Sequence, residues 1–145
     1  MKVNIYIEID NRTPRKHRRR WGYVLECVVN GEPRTKSETG ECEDTYHGAM
    51  ITALEKALLR ITKPCEVVIC GPDAWVLGML TKQVRVWAKE NFLTAQGKPI
   101  AYQKQWMHIW CLIEHLGVIT LAGKHAYTNW LLEEMKNLPH TANAV

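Results

Sequence analysis

The sequence has no run approaching the roughly 18 uninterrupted apolar residues that span a bilayer, so no membrane-crossing helix and no membrane partner are expected. Its first residues, MKVNIYIEID, alternate apolar and polar and lack the apolar stretch of a secretory leader, so none is expected. The five cysteines (Cys27, Cys42, Cys65, Cys70, Cys111) are odd in number and contain no C-x-x-C pair. That argues against a disulfide framework or a zinc site and fits a reducing compartment, so the expected location is cytoplasmic. No internal repeat and no domain-length linker interrupts the chain. Acid, finally, is missing from residues 12–20, RTPRKHRRR.

What is present is ordinary globular material: 145 residues, 46% apolar and 23% charged, enough for one domain with a buried core. The expected domain is 1–138, with a flexible polar tail at 139–145, and the expected state is a monomer. Net charge is +4, but it is unevenly spread. Residues 12–20 carry six Lys/Arg, and residues 81–104 carry five against one acid. Those two stretches hold ten net positives, which leaves the remainder at −6. Segregation of this kind creates a local positive field suited to a polyanion such as nucleic acid; a solvated basic loop is the alternative.

Residues 3–10 alternate Val3, Ile5, Ile7, Ile9 against Asn4, Tyr6, Glu8, Asp10, which predicts a strand. Residues 21–29 form a second, and Asn30-Gly31 favours a tight hairpin into a polar third strand over about 33–40. From Thr45, a plausible N-cap, the period becomes helical through Met50, Ile51, Leu54, Leu58 and Ile61, and Lys63-Pro64 ends it. EVVIC at 66–70 predicts a short apolar strand stopped by Gly71-Pro72. Helical stretches follow at about 73–80 and 82–91, then a loop through Pro99. Next come an amphipathic helix marked by Trp106, Ile109, Trp110 and Ile113, a strand at Val118–Leu121, and a helix from about Tyr127 to Lys136. The order β-β-β-α-β-α-α-α-β-α implies an α/β fold, a mixed sheet covered by helices.

Order and residues together resemble the type 1 ribonuclease H family. The resemblance is densest over CEVVICGPDAWVLGMLTKQVRVWAKENFLTAQGKPIAYQKQW, residues 65–106, and covers most of the chain. It implies a ribonuclease H-like mixed five-stranded sheet flanked by helices, with a basic helical protrusion. It also implies a function: carboxylates holding two Mg²⁺ (or Mn²⁺) ions that cut the RNA strand of an RNA/DNA hybrid. Hard cations prefer oxygen ligands, and a pair of ions stabilises both the attacking and the leaving oxygens.

Carried onto this sequence, the family's first-strand carboxylate is Glu8 or Asp10, two apart and so on one strand face; a polar face without metal is the other reading. The position of the first-helix glutamate, nine before Glu55, is Tyr46. Glu43 and Asp44 just upstream either reach in or only favour the helix terminus. The fourth-strand aspartate falls on Pro72, with Asp73 one residue on, as a ligand or as a helix N-cap. The last helix offers Glu133 as a ligand, with Glu133 and Glu134 otherwise plain exposed charges; Asn129 lies on the same helical face as Glu133 and is a nucleic-acid contact. His125 resembles the family's histidine that assists proton transfer. The expected catalytic set is therefore Glu8, Asp10, Asp73, His125 and Glu133, with the four acids as metal ligands. The expected nucleic-acid contacts are Arg15, Lys16, Arg18, Arg19 and Arg20 in a loop that is Gly-rich in the family, and Lys82, Arg85, Trp87, Lys89 and Lys98 on the protrusion. Trp87 is also read as a core residue. Glu8, Asp10, Asp73 and Glu133 favour the nuclease, which is the expected function, while Tyr46 and Pro72 favour the alternative, a catalytically degenerate hybrid- or nucleic-acid-binding module. An interaction domain for an acidic protein is a third, weaker reading.

Overall fold

The alternation at the start of the chain forms a strand because its two faces meet different partners. In the computed structural model, which describes residues 1–138, β1 (Lys2–Ile9) turns Ile5, Ile7 and Ile9 into the main core. The tail expected at 139–145 lies outside the described residues. β2 (His17–Val29) and β3 (Glu32–Asp44) form a long antiparallel hairpin. Its turn, Asn30-Gly31, has φ of 52° and 81°, the positive values a two-residue hairpin needs. β4 (Glu66–Gly71) and β5 (Gly117–Ala122) complete a five-stranded sheet of order β3-β2-β1-β4-β5. β1 is antiparallel to β2 and parallel to β4, and β5 is parallel to β4.

Two boundaries differ from the sequence reading. β2 begins at His17 rather than Trp21, so the last part of the basic run is strand, not loop. β3 extends to Asp44 because its register runs the full length of β2, from Val29↔Glu32 to His17↔Asp44. Pairing along a partner strand overrides the weak strand propensity of these polar residues.

α1 (Tyr46–Leu58) starts as read: Thr45 Oγ1 accepts from Gly48 N at 3.0 Å. The two helical stretches after β4 are one nearly continuous rod, α2 (Ala74–Gly78) and α3 (Val84–Lys89), joined by a π-helical turn over Met79–Gln83. α4 (Gln103–Ile113) packs against α1, and both sit over the core that Met50, Leu54, Leu58, Trp106 and Ile109 share with the sheet. α5 (Thr128–Lys136) lies on the opposite face over β1 and β2, where Leu131 and Met135 meet Val24. Gly22 permits that approach, because a Cβ there would stand 3.1 Å from Leu131 and 3.3 Å from Met135. No helix among the described residues is long and apolar enough to cross a membrane.

Candidate active site

Parallel pairing brings the ends of β1 and β4 side by side, with Tyr6 opposite Cys70. Two residues further along β1, Glu8 is fully buried beneath the start of α5. Its Oε2 accepts from Thr128 Oγ1 at 2.6 Å and lies 3.2 Å from His125 Nε2. Its Oε1 is buried with no hydrogen-bond partner among the described residues. His125 Nε2 also donates to the Ile7 carbonyl at 2.8 Å, and Nδ1 accepts from Tyr127 N at 3.2 Å. These partners select the Nε2–H tautomer. With its side chain 3% exposed and its ring 5.2 Å from that of Tyr6, His125 is packed into the wall of the site rather than carried on a mobile loop.

At the end of β4, Asp73 is buried and spends both carboxylate oxygens. Oδ1 accepts from Val76 N at 3.1 Å, which makes it the N-cap of α2, and Oδ2 lies 2.6 Å from His47 Nδ1. Asp73 thus serves as the N-cap, one of the two roles read for it. Tyr46 opens α1. Burial pushes its phenol up to about 12, Asp73 and Glu8 adding to the effect while Arg12 and Arg19 oppose it. Tyr46 therefore feels both carboxylates and stays a neutral hydroxyl.

The other predicted ligands are elsewhere. Asp10 lies one residue beyond the end of β1, is exposed, and its Oδ1 accepts from Arg20 N at 2.9 Å. Glu133 points to solvent from the outer face of α5, 3.7 Å from Lys136 Nζ. Asn129 is exposed as well. The buried stripe of α5 is Thr128, Leu131 and Met135, so Thr128 is the residue this helix turns toward Glu8. That i, i+3, i+7 spacing is present in the sequence and is the signal for it. Asp44 is held at the start of α1, its Oδ1 accepting from Thr45 N at 2.7 Å and Tyr102 Oη at 2.9 Å, and Glu43 is exposed.

Among the described residues, no group of three or more His, Cys, Asp or Glu converges as a metal site. Glu8 Oε1 is a buried acid oxygen without a hydrogen-bond partner among the described residues; a threonine hydroxyl bonds the same carboxylate, the Tyr46 phenol feels its charge, and the Asp73 carboxylate is already bonded twice. This donor set does not fit a pair of divalent ions, which needs several carboxylates shared between them.

The cationic residues divide. Arg19, 1% exposed, points its guanidinium at four main-chain carbonyls: Asp44 and Thr13, each at 2.9 Å, with Asn11 and Arg15. Arg20 is buried too, donating to the Met135 carbonyl and lying 3.4 Å from Glu41. The sequence reads these two as nucleic-acid contacts; burial instead makes them fasteners of the loop and of α5. Arg12, Arg15, Lys16 and Arg18 remain exposed, Arg18 at 3.9 Å from Glu41. On the protrusion Lys82, Arg85, Lys89 and Lys98 are all exposed, while half-buried Trp87 packs its ring 5.4 Å from that of Trp106.

No family model matches the chain. Curated proteins named ribonuclease H do: that of Agrobacterium fabrum is 31% identical over 86 residues, 59% of this chain and 57% of the relative. That of Halorhodospira halophila is 29% identical over 89 residues, 61% and 58% of the two chains. The chain thus spans less than two thirds of the length of the curated relatives it matches. Among solved structures, the foamy viral protease-reverse transcriptase in complex with dsDNA superposes with a TM-score of 0.69 at 19% identity, covering 92% of this chain and 91% of that one. The PFV RNase H domain gives 0.68 at 17% identity, covering 92% and 90%. LC9-RNase H1, described as a type 1 RNase H with the type 2 active-site motif, gives 0.68 at 14% identity, covering 93% and 68%. Sheet order, helix placement and these similarities agree: the chain has the ribonuclease H fold.

Proposed function

We propose that the protein binds RNA/DNA hybrid, or a duplex of similar shape, through the exposed cations of residues 12–18 and of the protrusion, without the two-ion cleavage of the active nucleases. The observation that carries this reading is the polar surroundings of the acids: Thr128 bonds Glu8, and the Tyr46 phenol feels the charge of both Glu8 and Asp73. Hydroxyl groups stand where a two-ion centre needs carboxylates, while Lys82, Arg85, Lys89 and Lys98 stay exposed. Phosphate contacts of this kind hold a duplex by its backbone and carry no base sequence. As part of the same proposal the protein acts as a cytoplasmic monomer; its five cysteines are all free thiols.

A second reading, a Mg²⁺- or Mn²⁺-dependent nuclease cutting the RNA strand, draws on the unpaired Glu8 Oε1 and on the name of the curated relatives. One experiment separates the two. Hybrid binding is followed by fluorescence anisotropy across a salt series, and cutting of the labelled RNA strand is followed with either metal, beside the Glu8→Ala/Asp10→Ala variant. The proposal expects salt-sensitive binding and no metal-dependent cutting. Cutting that needs metal and disappears in the variant would establish the nuclease. Absence of salt-sensitive binding would remove the proposal itself.

A further inference from the structure

An imidazole at the mouth of the site is built as a base, and duplex binding makes no use of it. His47 lies on the first turn of α1 with its side chain 45% exposed, and its Nδ1 is 2.6 Å from Oδ2 of Asp73, whose side chain is 2% exposed. Asp73 cannot swing away, because its other oxygen caps α2 through Val76 N. A carboxylate acceptor at Nδ1 requires the proton there, so in the neutral ring the lone pair sits on Nε2. That nitrogen has no hydrogen-bond partner among the described residues. A buried carboxylate that fixes the tautomer and orientation of a half-exposed imidazole is the arrangement by which a histidine becomes a general base. Trp75, 48% exposed, places its ring 4.5 Å from that of His47. Arg12, exposed, is close enough for its charge to act on the neighbouring Tyr46 phenol.

We propose that His47, positioned by Asp73, is a general base for metal-independent cleavage of single-stranded RNA at a nucleotide whose base stacks on Trp75. The geometry selects that substrate class. Attack by a 2′-hydroxyl on its own phosphate needs the 2′-oxygen, phosphorus and departing 5′-oxygen in line, an alignment that a regular duplex holds apart and an unstacked strand reaches. An exposed indole beside the base is a platform on which an unpaired nucleobase stacks. In the step, His47 Nε2 takes the 2′-hydroxyl proton as the O2′–P bond forms. The P–O5′ bond breaks with its electron pair on the 5′-oxygen, which takes a proton from water. The products are a 2′,3′-cyclic phosphate and a 5′-hydroxyl, with no oxidant, reductant or metal consumed, and His47 then returns its proton to solvent. Arg12 supplies positive charge for the phosphate during the step.

The test uses the full chain and a labelled single-stranded oligoribonucleotide in excess EDTA, with its 2′-O-methyl counterpart alongside, the ends of the products being identified by mass spectrometry. Cleavage is expected to leave 2′,3′-cyclic phosphate, to spare the 2′-O-methyl strand, and to fall on the order of 10²-fold or more in His47→Ala. His47 is half exposed, so that variant is expected to fold with a lowered melting temperature, because Asp73 Oδ2 loses its partner, and a retained cooperative transition with native circular dichroism checks it. Trp75→Ala is expected to raise KM more than it lowers kcat. Asp73→Asn is expected to lower kcat with KM little changed, a split that a merely structural role would not produce. No cutting in EDTA, cutting equally fast in His47→Ala, or products ending in 3′-hydroxyl would each overturn the proposal. Hybrid binding is measured separately: binding without this cleavage overturns only the present inference, and cleavage without hybrid binding overturns only the preceding one.

Discussion

Residues 12–20 and residues 82–98 are both rich in Lys and Arg, and the fold uses them in opposite ways. On the protrusion, Lys82, Arg85, Lys89 and Lys98 all face solvent, and the charge of that segment is available to a partner. In the first segment Arg19 and Arg20 are buried and spend their donors on main-chain carbonyls of the chain itself. Arg19 gathers the carbonyls of Asn11, Thr13 and Arg15 inward, so the exposed neighbours Arg12, Arg15 and Lys16 are presented from a loop fixed from within. A guanidinium suits that task because it offers five donors in a rigid plane. Counting cations in a sequence therefore measures potential contact surface in one segment and internal scaffolding in part of the other.

The sharpest test of this contrast is Arg19→Ala. Leaving several carbonyls without their donor is expected to cost about 3 kcal/mol or more in urea denaturation. An unchanged midpoint would show that the buried arginine holds nothing together. Next in size, changing Lys82, Arg85, Lys89 and Lys98 together to Gln is expected to flatten the salt dependence of hybrid binding, by roughly 0.9 in the log–log slope for each phosphate no longer neutralised. The melting temperature should stay within a degree or two, and a large fall would place these residues in the scaffold instead.

Thr128→Val keeps the shape of the side chain but removes the donor to buried Glu8, and is expected to cost about 1–3 kcal/mol by chemical denaturation. The site's polar wall also has a pH signature. All five tyrosines have phenols raised above their usual value, Tyr46 and Tyr127 to about 12, Tyr46 chiefly by burial and Tyr127 chiefly by its hydrogen bond to Glu26. A folded value raised above the unfolded one holds the proton more tightly in the native state. That stability is present in full below about pH 10, the unfolded value, and is lost as pH rises toward 12. Absorbance of phenolate is expected to appear later in native than in urea-unfolded protein, and coincident curves would contradict the packing described. Smallest of all, Arg18→Ala, next in sequence to Arg19 but exposed, is expected to change stability by less than about 0.5 kcal/mol.

The element order is legible because each element carries its own period: Val3 to Ile9 alternate, and Met50 to Leu58 repeat at helical spacing. The start of β2 is not, since HRRR has no apolar alternation and becomes strand only by pairing with residues 41–44. Burial of Arg20 depends on Met135, 115 positions away, and no local pattern announces it. Asp73 is legible as a cap, but its bond to His47 exists because α1 and β4 meet at the same place in the fold. Glu133 stands out as an acid on the last helix, whereas the phase of that helix is set by Leu131 and Met135, which turn Thr128 inward.

The π turn over Met79–Gln83 fits one more residue into its turn than an α-helical path would use. Each residue advances an α-helix by about 100°. Were the same residues wound as a plain α-helix, everything beyond them would be rotated by that angle. Trp87 would leave Trp106, and Arg85 and Lys89 would swing toward a different side of the protrusion. The turn is thus a phase setting, so the length of this segment controls the direction in which its charges point as strictly as their identity controls what they attract.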